Sequence, residues 1–550
     1  MARWCREMGA QPAVRLTMAD DREAPSTERG AASSDRTGRG AMLVGAGILV
    51  SRVLGLVRNT VFAHYLGASS ASDAYTAALK IPNAVRNLLG EGTLSAAFIP
   101  VYSRLLATRD EAGARVLARA VLGVLLLVVS AVTVLGIALA PVLTRVIAAG
   151  FDAPTAALTT RMVRVLFPMT GLMVISGWCL GVQNAHRRFF VAYASAALWS
   201  IAQIVLLWWG GPRAPSIEQL AVWLAWATLG GALLQVVAQL PEVVRLSGPP
   251  LPLFRASHAG VSTVLRNMGP VITALGVVQI SSFVDVQVAS WLPTGAATML
   301  SYAQTLALLP VSLFGVSVAA AALPDLARDE ATLAHDQLRE RVRGGWQRVL
   351  FYIVPSAAAF VVLGDLMVGM LYRTGRFGAR EQQIVHVILG AYALGLVSAG
   401  AVKLLASAHY ALRDYRTPLK ASITSVLISG VLATATGVWL RDWRFAAAGI
   451  AAGSALGSYA NLVLLLGGLR ARVGALYTPA MWAGTRRIVV ATVVAIVAGL
   501  GVRWAVGTRG AWIAGPPALA SFGLAYLLTA WRLGSGEAAR WLRLPARGGG

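Results

Sequence analysis

Residues 51–100 read SRVLGLVRNTVFAHYLGASSASDAYTAALKIPNAVRNLLGEGTLSAAFIP. Two apolar segments meet there across a turn of small residues, Gly67 to Asp73. The same stretch carries Arg52, Arg58, Asp73, Lys80, Arg86 and Glu91. A charge at membrane depth costs about 2.5–3.5 kcal/mol even on the lenient insertion scale, unless it faces water or a partner. So many charges kept in apolar helices point to use.

Composition places these helices in a membrane. The chain of 550 residues is 57% hydrophobic and 13% charged, against about 25% charged in soluble domains, and its mean hydropathy is +0.65. Val121 to Ala140 and Ala421 to Leu440 are free of charge, and each has the length of about 20 residues that spans a bilayer as a helix. Apolar segments recur at approximately 42–65, 73–103, 119–146, 156–183, 190–209, 217–241, 267–291, 295–324, 346–371, 383–411, 418–439, 445–468, 486–506 and 511–531. The expectation is an all-α polytopic membrane protein of about fourteen transmembrane helices. Pro82, Pro100 and Pro310 allow kinks, and broken helices at depth line cavities rather than lipid.

The net charge of +24, from 48 Lys and Arg against 24 Asp and Glu, is spread over short loops with no interleaved aromatic platforms. It reads as the positive-inside rule rather than as nucleic-acid binding. With both termini cytoplasmic, the basic loops fall inside. The main exception is Arg373, Arg376 and Arg380, which fall outside. Residues 1–40, with seven arginines and six acids, read as a disordered cytoplasmic tail with no signal peptide. Met42, directly before the first apolar run, is a second candidate start. The loop at 325–345 reads as an amphipathic connector.

Several chemistries find no support. Cys5 and Cys179 make no disulfide framework, six dispersed histidines make no metal cluster, and no P-loop or nucleophile elbow occurs. No cofactor is expected. With no nucleotide-hydrolysing domain, a transporter of this kind runs on membrane potential or a cation gradient.

Arg52 and Arg58 lie about 120° apart around a helix axis and about 9 Å along it. They can border one wide cavity with Arg86 as a third point, a sensible site for a diphosphate because guanidinium groups pair bidentately with phosphate. The competing reading pairs Arg52 with Asp73 or Glu91 and lets Arg58 snorkel to the interface. Asp285, between Gln279 and Gln287, could bind a coupling cation, take a proton or counter a basic residue. Lys403 is a candidate cavity cation or a partner for Asp285.

The opening stretch resembles the N-terminal signature of the MurJ/MviN family, within the multidrug/oligosaccharidyl-lipid/polysaccharide exporter superfamily. LFPMTGLMVISGWCLGVQNAHRRFF, LPVSLFGVSVAAAALPDLAR, LYRTGRFGAREQ and KLLASAHYALRDYRTPLK resemble later family segments in the same order. The resemblance covers roughly 42–530. It implies two six-helix lobes around a central cavity, here 41–245 and 246–472. It also implies a C-terminal helix pair at 473–532 forming a groove for a polyprenyl tail at about 486–531, then a cytoplasmic tail at 533–550. It implies a non-enzymatic flippase of the bacterial cytoplasmic membrane. Such a protein moves lipid II, the lipid-linked peptidoglycan precursor, to the outer leaflet by alternating access, with cell-wall synthesis proteins as possible partners. Arg52, Arg58 and Arg86 occupy matching positions for substrate binding, with Lys403 beside them and Asp73, Glu91 and Asp285 as supporting charges. The eighth helix departs from the family pattern. Gln304, Thr305 and Leu308 stand where an acid, an arginine and a glutamate are often found. The sodium site of the family is matched by Asp285 alone, because Ala421 to Leu440 has no Asp or Asn. The alternatives are an exporter of another polyprenyl-diphosphate-linked glycan or amphipathic compound, a polyprenyl-phosphate enzyme, and a scaffold.

Overall fold

A computed structural model describes residues 50–254, 259–315, 335–412, 414–439, 443–507 and 509–544. The N-terminal tail and Met42 lie outside the described residues, as does the side chain of Glu91. No strand occurs among the described residues.

The described residues are helical apart from short connections. The first bundle begins with α1 (50–66), α2 (Ser70–Leu89), α3 (Glu91–Ala97), α4 (Ile99–Ala107) and α5 (Glu111–Ala138). It continues with α6 (Ala140–Ile147), α7 (Ala153–Ala185), α8 (Phe189–Ala194), α9 (Ala196–Gly210) and α10 (Ile217–Ser247). The second contains α11 (Ala259–Ser290), α12 (Ala296–Pro310), α13 (His335–Tyr372), α14 (Ala379–Ala411), α15 (Arg416–Trp439) and α16 (Trp443–Val473). A final pair, α17 (Pro479–Val506) and α18 (Ala511–Arg532), precedes the short α19 (Gly536–Leu542). Eleven of the described helical segments are long and apolar enough to cross a membrane. Helix α2 is not among them, and it carries Asp73, Lys80 and Arg86.

Packing follows chain order. Helix α7 is the hub of the first bundle, against α2, α5 and α10. In the second, α16 packs between α14 and α15, and α11 lies on α15. The last pair packs on α13. Buried amides serve as glue inside the first bundle. Gln235 Nε2 donates to Ser176 Oγ at 2.9 Å, and Gln239 Nε2 donates to Ser195 Oγ at 2.7 Å. A polar group in an apolar helix needs such a partner.

Two expectations are redrawn. The long second segment is broken at Gly90 into α2, α3 and α4. The described part of the 325–345 connector is the first turns of α13, continuous with its apolar body. The stretch 533–550 contains α19, whose Ala538 and Ala539 are buried and whose Glu537 pairs with Arg348 at 3.0 Å.

The bundles meet around the α1–α2 turn. Gly67 has φ +58, and a Cβ there would lie 2.9 Å from the Arg376 carbonyl oxygen, so glycine meets both demands. Ser69 then caps α2 in a reciprocal box with Ser72. The Arg376 amide donates to His64 O at 3.0 Å, and His64 Nδ1 lies 2.7 Å from Thr374 Oγ1.

Candidate functional site

The two bundles enclose a polar cavity. One chamber of about 310 Å³ is lined by Arg58, Lys80 and Arg86, with Asn59, Trp199 and Gln279 among the neutral groups. A second chamber of about 580 Å³ adjoins it, sharing Arg58, Arg86 and Trp199 and extending past Arg52. Arg52, Arg58 and Arg86 all border this second chamber.

Among the described lining residues all four cations come from α1 and α2, and none is a carboxylate. Arg58 is half-buried. Its Nε and Nη2 donate to Asn59 Oδ1 at 3.2 and 2.9 Å, and its guanidinium lies 4.9 Å from the centre of the Trp199 ring. It does not snorkel. A cation over an indole face is held without losing its charge, so Arg58 remains open to an anion. Lys80 Nζ donates to Ser282 Oγ at 3.1 Å across the interface. The position of α2 follows from its buried small face, Ala71, Ala74, Ala77, Ala78 and Ala84, which turns Lys80 and Arg86 toward the cavity.

The wall contributed by α11 and α12 is uncharged: Gln279, Ser282, Thr298, Ser301, Tyr302 and Thr305. Thr305 and Leu308, two of the positions that depart from the family pattern, face the cavity.

Asp73 does not pair with Arg52. It is buried, and it caps the N-terminus of α12 from the other bundle. Its Oδ2 accepts from the Gly295 amide at 2.6 Å, and its Oδ1 accepts from the Thr298 amide at 2.8 Å and from Thr298 Oγ1 at 2.7 Å. A carboxylate at a helix N-terminus satisfies orphan amides and the positive end of the dipole together. Gly295, at φ +93, ends the turn that presents those amides. Asp285 is buried on α11, with Ser454 and Lys80 as its neighbours. Lys403 is exposed on α14 and borders neither chamber, nor is it the partner of Asp285. Helix rotation decides this: Leu404 and Leu405 face inward, leaving Lys403 outside.

Lys80 was visible as a charge but not as a lining group. Trp199, Asn59 and Gln279 gave no signal, since aromatic and amide residues at helical spacing are ordinary bundle packing. Among the described residues no group of His, Cys, Asp and Glu could hold a metal.

A polar cavity held between two helical bundles defines a class of multi-pass membrane transporter. The architecture overlays on a solved structure of the lipid II flippase MurJ in its inward closed conformation, with TM-score 0.74 and 22% identity over 91% of this chain and 100% of that one. An inward-facing multidrug resistance transporter of the MATE family shares it at TM-score 0.64 and 16% identity, over 78% of this chain and 95% of that one. The sequence adds the particular family. Residues 62–519 match the model of the lipid II flippase MurJ. The lipid II flippase MurJ of Burkholderia cenocepacia is 31% identical over 440 residues, 79% of this chain and 84% of that protein. A probable lipid II flippase of Vibrio cholerae is 29% identical over 79% of this chain and 83% of its own. The chain belongs to the MurJ lipid II flippase family. That family is named for moving a lipid, in line with the expectation of a transporter rather than an enzyme.

Proposed function

We propose that this protein flips lipid II across the cytoplasmic membrane, with Arg52, Arg58, Lys80 and Arg86 engaging the diphosphate. The observation that carries the reading is the charge of the cavity: four cations and no carboxylate among the described lining residues. A diphosphate crossing a low-dielectric centre loses its hydration, and guanidinium groups on a fixed wall replace it. The two bundles act as lobes, 41–245 and 246–472, that rock about the cavity. The state described here is closed at the end where Asp73 meets α12 and His64 meets Thr374, and it reaches toward the opposite end, where Arg52 is exposed. With both termini cytoplasmic, that opposite end faces the inner leaflet. The polyprenyl tail stays in lipid along α17 and α18.

The neutral Thr305 and Leu308 favour a second reading, the export of another polyprenyl-diphosphate-linked glycan. The test is complementation of a flippase-depleted strain together with transport of fluorescent lipid II in proteoliposomes. Arg58→Ala and Arg86→Ala are expected to lower transport by at least about tenfold each, the worth of one lost charge-assisted contact, and Lys80→Ala by a similar amount. Full activity in all three variants ends the cationic-cavity reading. Transport of a different polyprenyl-diphosphate glycan with lipid II left behind selects the second.

A further inference from the structure

Arginines at the end of the bundle opposite Arg52 break the positive-inside pattern, and the cavity chemistry leaves them unused. Arg373 follows the C-terminus of α13, directly before Thr374, which meets His64. It lines a separate pocket of about 580 Å³ between α13, α17 and α18, together with Asp365, Arg503, Trp504, Arg509 and Gly510. Arg503 makes a two-pronged pair with Asp365, at 2.7 and 2.8 Å. Arg373 and Arg509 are exposed, with no ion pair among the described residues. Three guanidinium groups against one carboxylate leave two net positive charges. Gly510 stands at the N-cap of α18 without a side-chain cap, so the first amides of that 22-residue helix also point to this end.

A lipid-facing stripe leads away from the pocket. On α17, Val493, Val497, Leu500 and Trp504 recur at three- and four-residue spacing, and all four are exposed, Trp504 by 87%. Such a stripe suits a hydrocarbon chain in the bilayer. A charge-rich pocket at its head suits a group bearing about two negative charges. Snorkelling alone would account for isolated arginines at this depth, but not for a half-buried Asp365 that fixes one of three arginines beside an uncapped helix start.

We infer that this pocket holds the diphosphate of a polyprenyl-linked lipid in the leaflet opposite the one the cavity opens to, with the lipid's chain along α17. It would receive the headgroup after transit and set its release. This rests on the flippase reading for direction, and its test separates the two. The full chain in nanodiscs is irradiated with a photoactivatable polyprenyl diphosphate, and labelled peptides are mapped by mass spectrometry. Label is expected at residues 500–515 and at residues 51–87. In R373A/R509A, label at 500–515 falls by at least about tenfold while label at 51–87 persists. R58A/R86A does the reverse. A change of less than about twofold at 500–515 in R373A/R509A overturns the pocket and leaves the flippase reading standing. Label at 500–515 with none at 51–87 contradicts the flippase reading and keeps the pocket. Phosphatidylglycerol competing as well as the polyprenyl lipid shows a general anionic surface, and inorganic diphosphate competing as well shows a soluble-anion site. Either overturns the assignment.

Discussion

Asp73 shows how one residue can join two bundles. Its carboxylate accepts three hydrogen bonds from the first turn of α12, all from groups buried away from water. Asp73→Ala leaves two amides unpaired, while the Thr298 hydroxyl keeps Ser72 Oγ at 3.0 Å; each buried orphan costs about 1–3 kcal/mol. The expected loss is on the order of 3 kcal/mol after relaxation, read as a lower denaturation midpoint in detergent, with Asp73→Asn intermediate. An unchanged midpoint would mean the cap is not a stabilising contact. Asp414 gives the matching case outside the membrane segments. It lies in the α14–α15 turn, where it caps Arg416 and Thr417 and faces His409 at 3.1 Å and Arg472 at 3.0 Å. Burial alone would raise its pKa, but Thr417, His409 and Arg472 together hold it at about 2. A depressed carboxylate contributes stability above its ordinary value near 4, and that contribution is lost as pH falls from about 4 to about 2. The contribution is on the order of 2 kcal/mol, and D414N should remove that part of the acid dependence. At this scale the sequence was informative wherever charge was costly. Arg52, Arg58 and Arg86 stood out because apolar helices rarely keep them. Lys403 stood out for the same reason and lies elsewhere, because hydropathy does not report which way a helix is turned.

Among the elements, the break at Gly90 matters most. The string LGEGTLSAA reads as small-residue packing, yet the chain stops α2 there and restarts it as α3. The Gly90 amide donates to Arg86 O at 2.7 Å, and an added Cβ would lie 2.4 Å from that same oxygen. That atom is backbone, so it cannot swing aside. Gly90→Ala must therefore move the last turn of α2, the turn that carries Arg86 into the cavity. Overpacking of this kind costs about 1–3 kcal/mol, and the displaced guanidinium adds a functional loss. The expected outcome is a protein that inserts but transports at least about tenfold more slowly, measured in proteoliposomes. Normal transport by this variant would show that the placement of Arg86 does not depend on the break. Existence and approximate spans of the long apolar helices were legible from length and hydropathy alone. The break was not, because a glycine that yields to a neighbouring carbonyl looks in sequence like one that lets two helices approach. Proline was a better guide at α12, where Pro310 precedes the π-helical turn Val311–Gly315.

Across the whole molecule, the cations sit on α1 and α2, and the described facing wall of α11 and α12 is neutral. The bundles touch where Val261, Val264 and Met268 of α11 pack with Leu94 and Phe98, and again at the α1–α2 turn. There the His64 carbonyl accepts from the Arg376 amide, the His64 ring meets Thr374, and Asp73 holds α12. A rocking mechanism must release these contacts once per cycle, while the cavity loses its opening near Arg52. These polar contacts sit beside an apolar seam in which Phe62 of α1 lies edge-on to Tyr302 of α12, with 6.2 Å between ring centres, so release parts buried surface as well as hydrogen bonds. A covalent bond at this place would be different. His64 is exposed, and its ring nitrogen lies 2.7 Å from Thr374 Oγ1, so the pair His64→Cys and Thr374→Cys brings two thiols within reach of a disulfide after small side-chain adjustment. Cys5 is replaced by serine for this test, and native Cys179 is buried. Oxidation is expected to arrest lipid transport in proteoliposomes, and reduction to restore it, while substrate binding at the cavity persists in both forms. Each single variant should transport in either redox state. If the oxidised double variant transports at the rate of the reduced one, the bundles do not part at this end, and the cavity must exchange leaflets by another route.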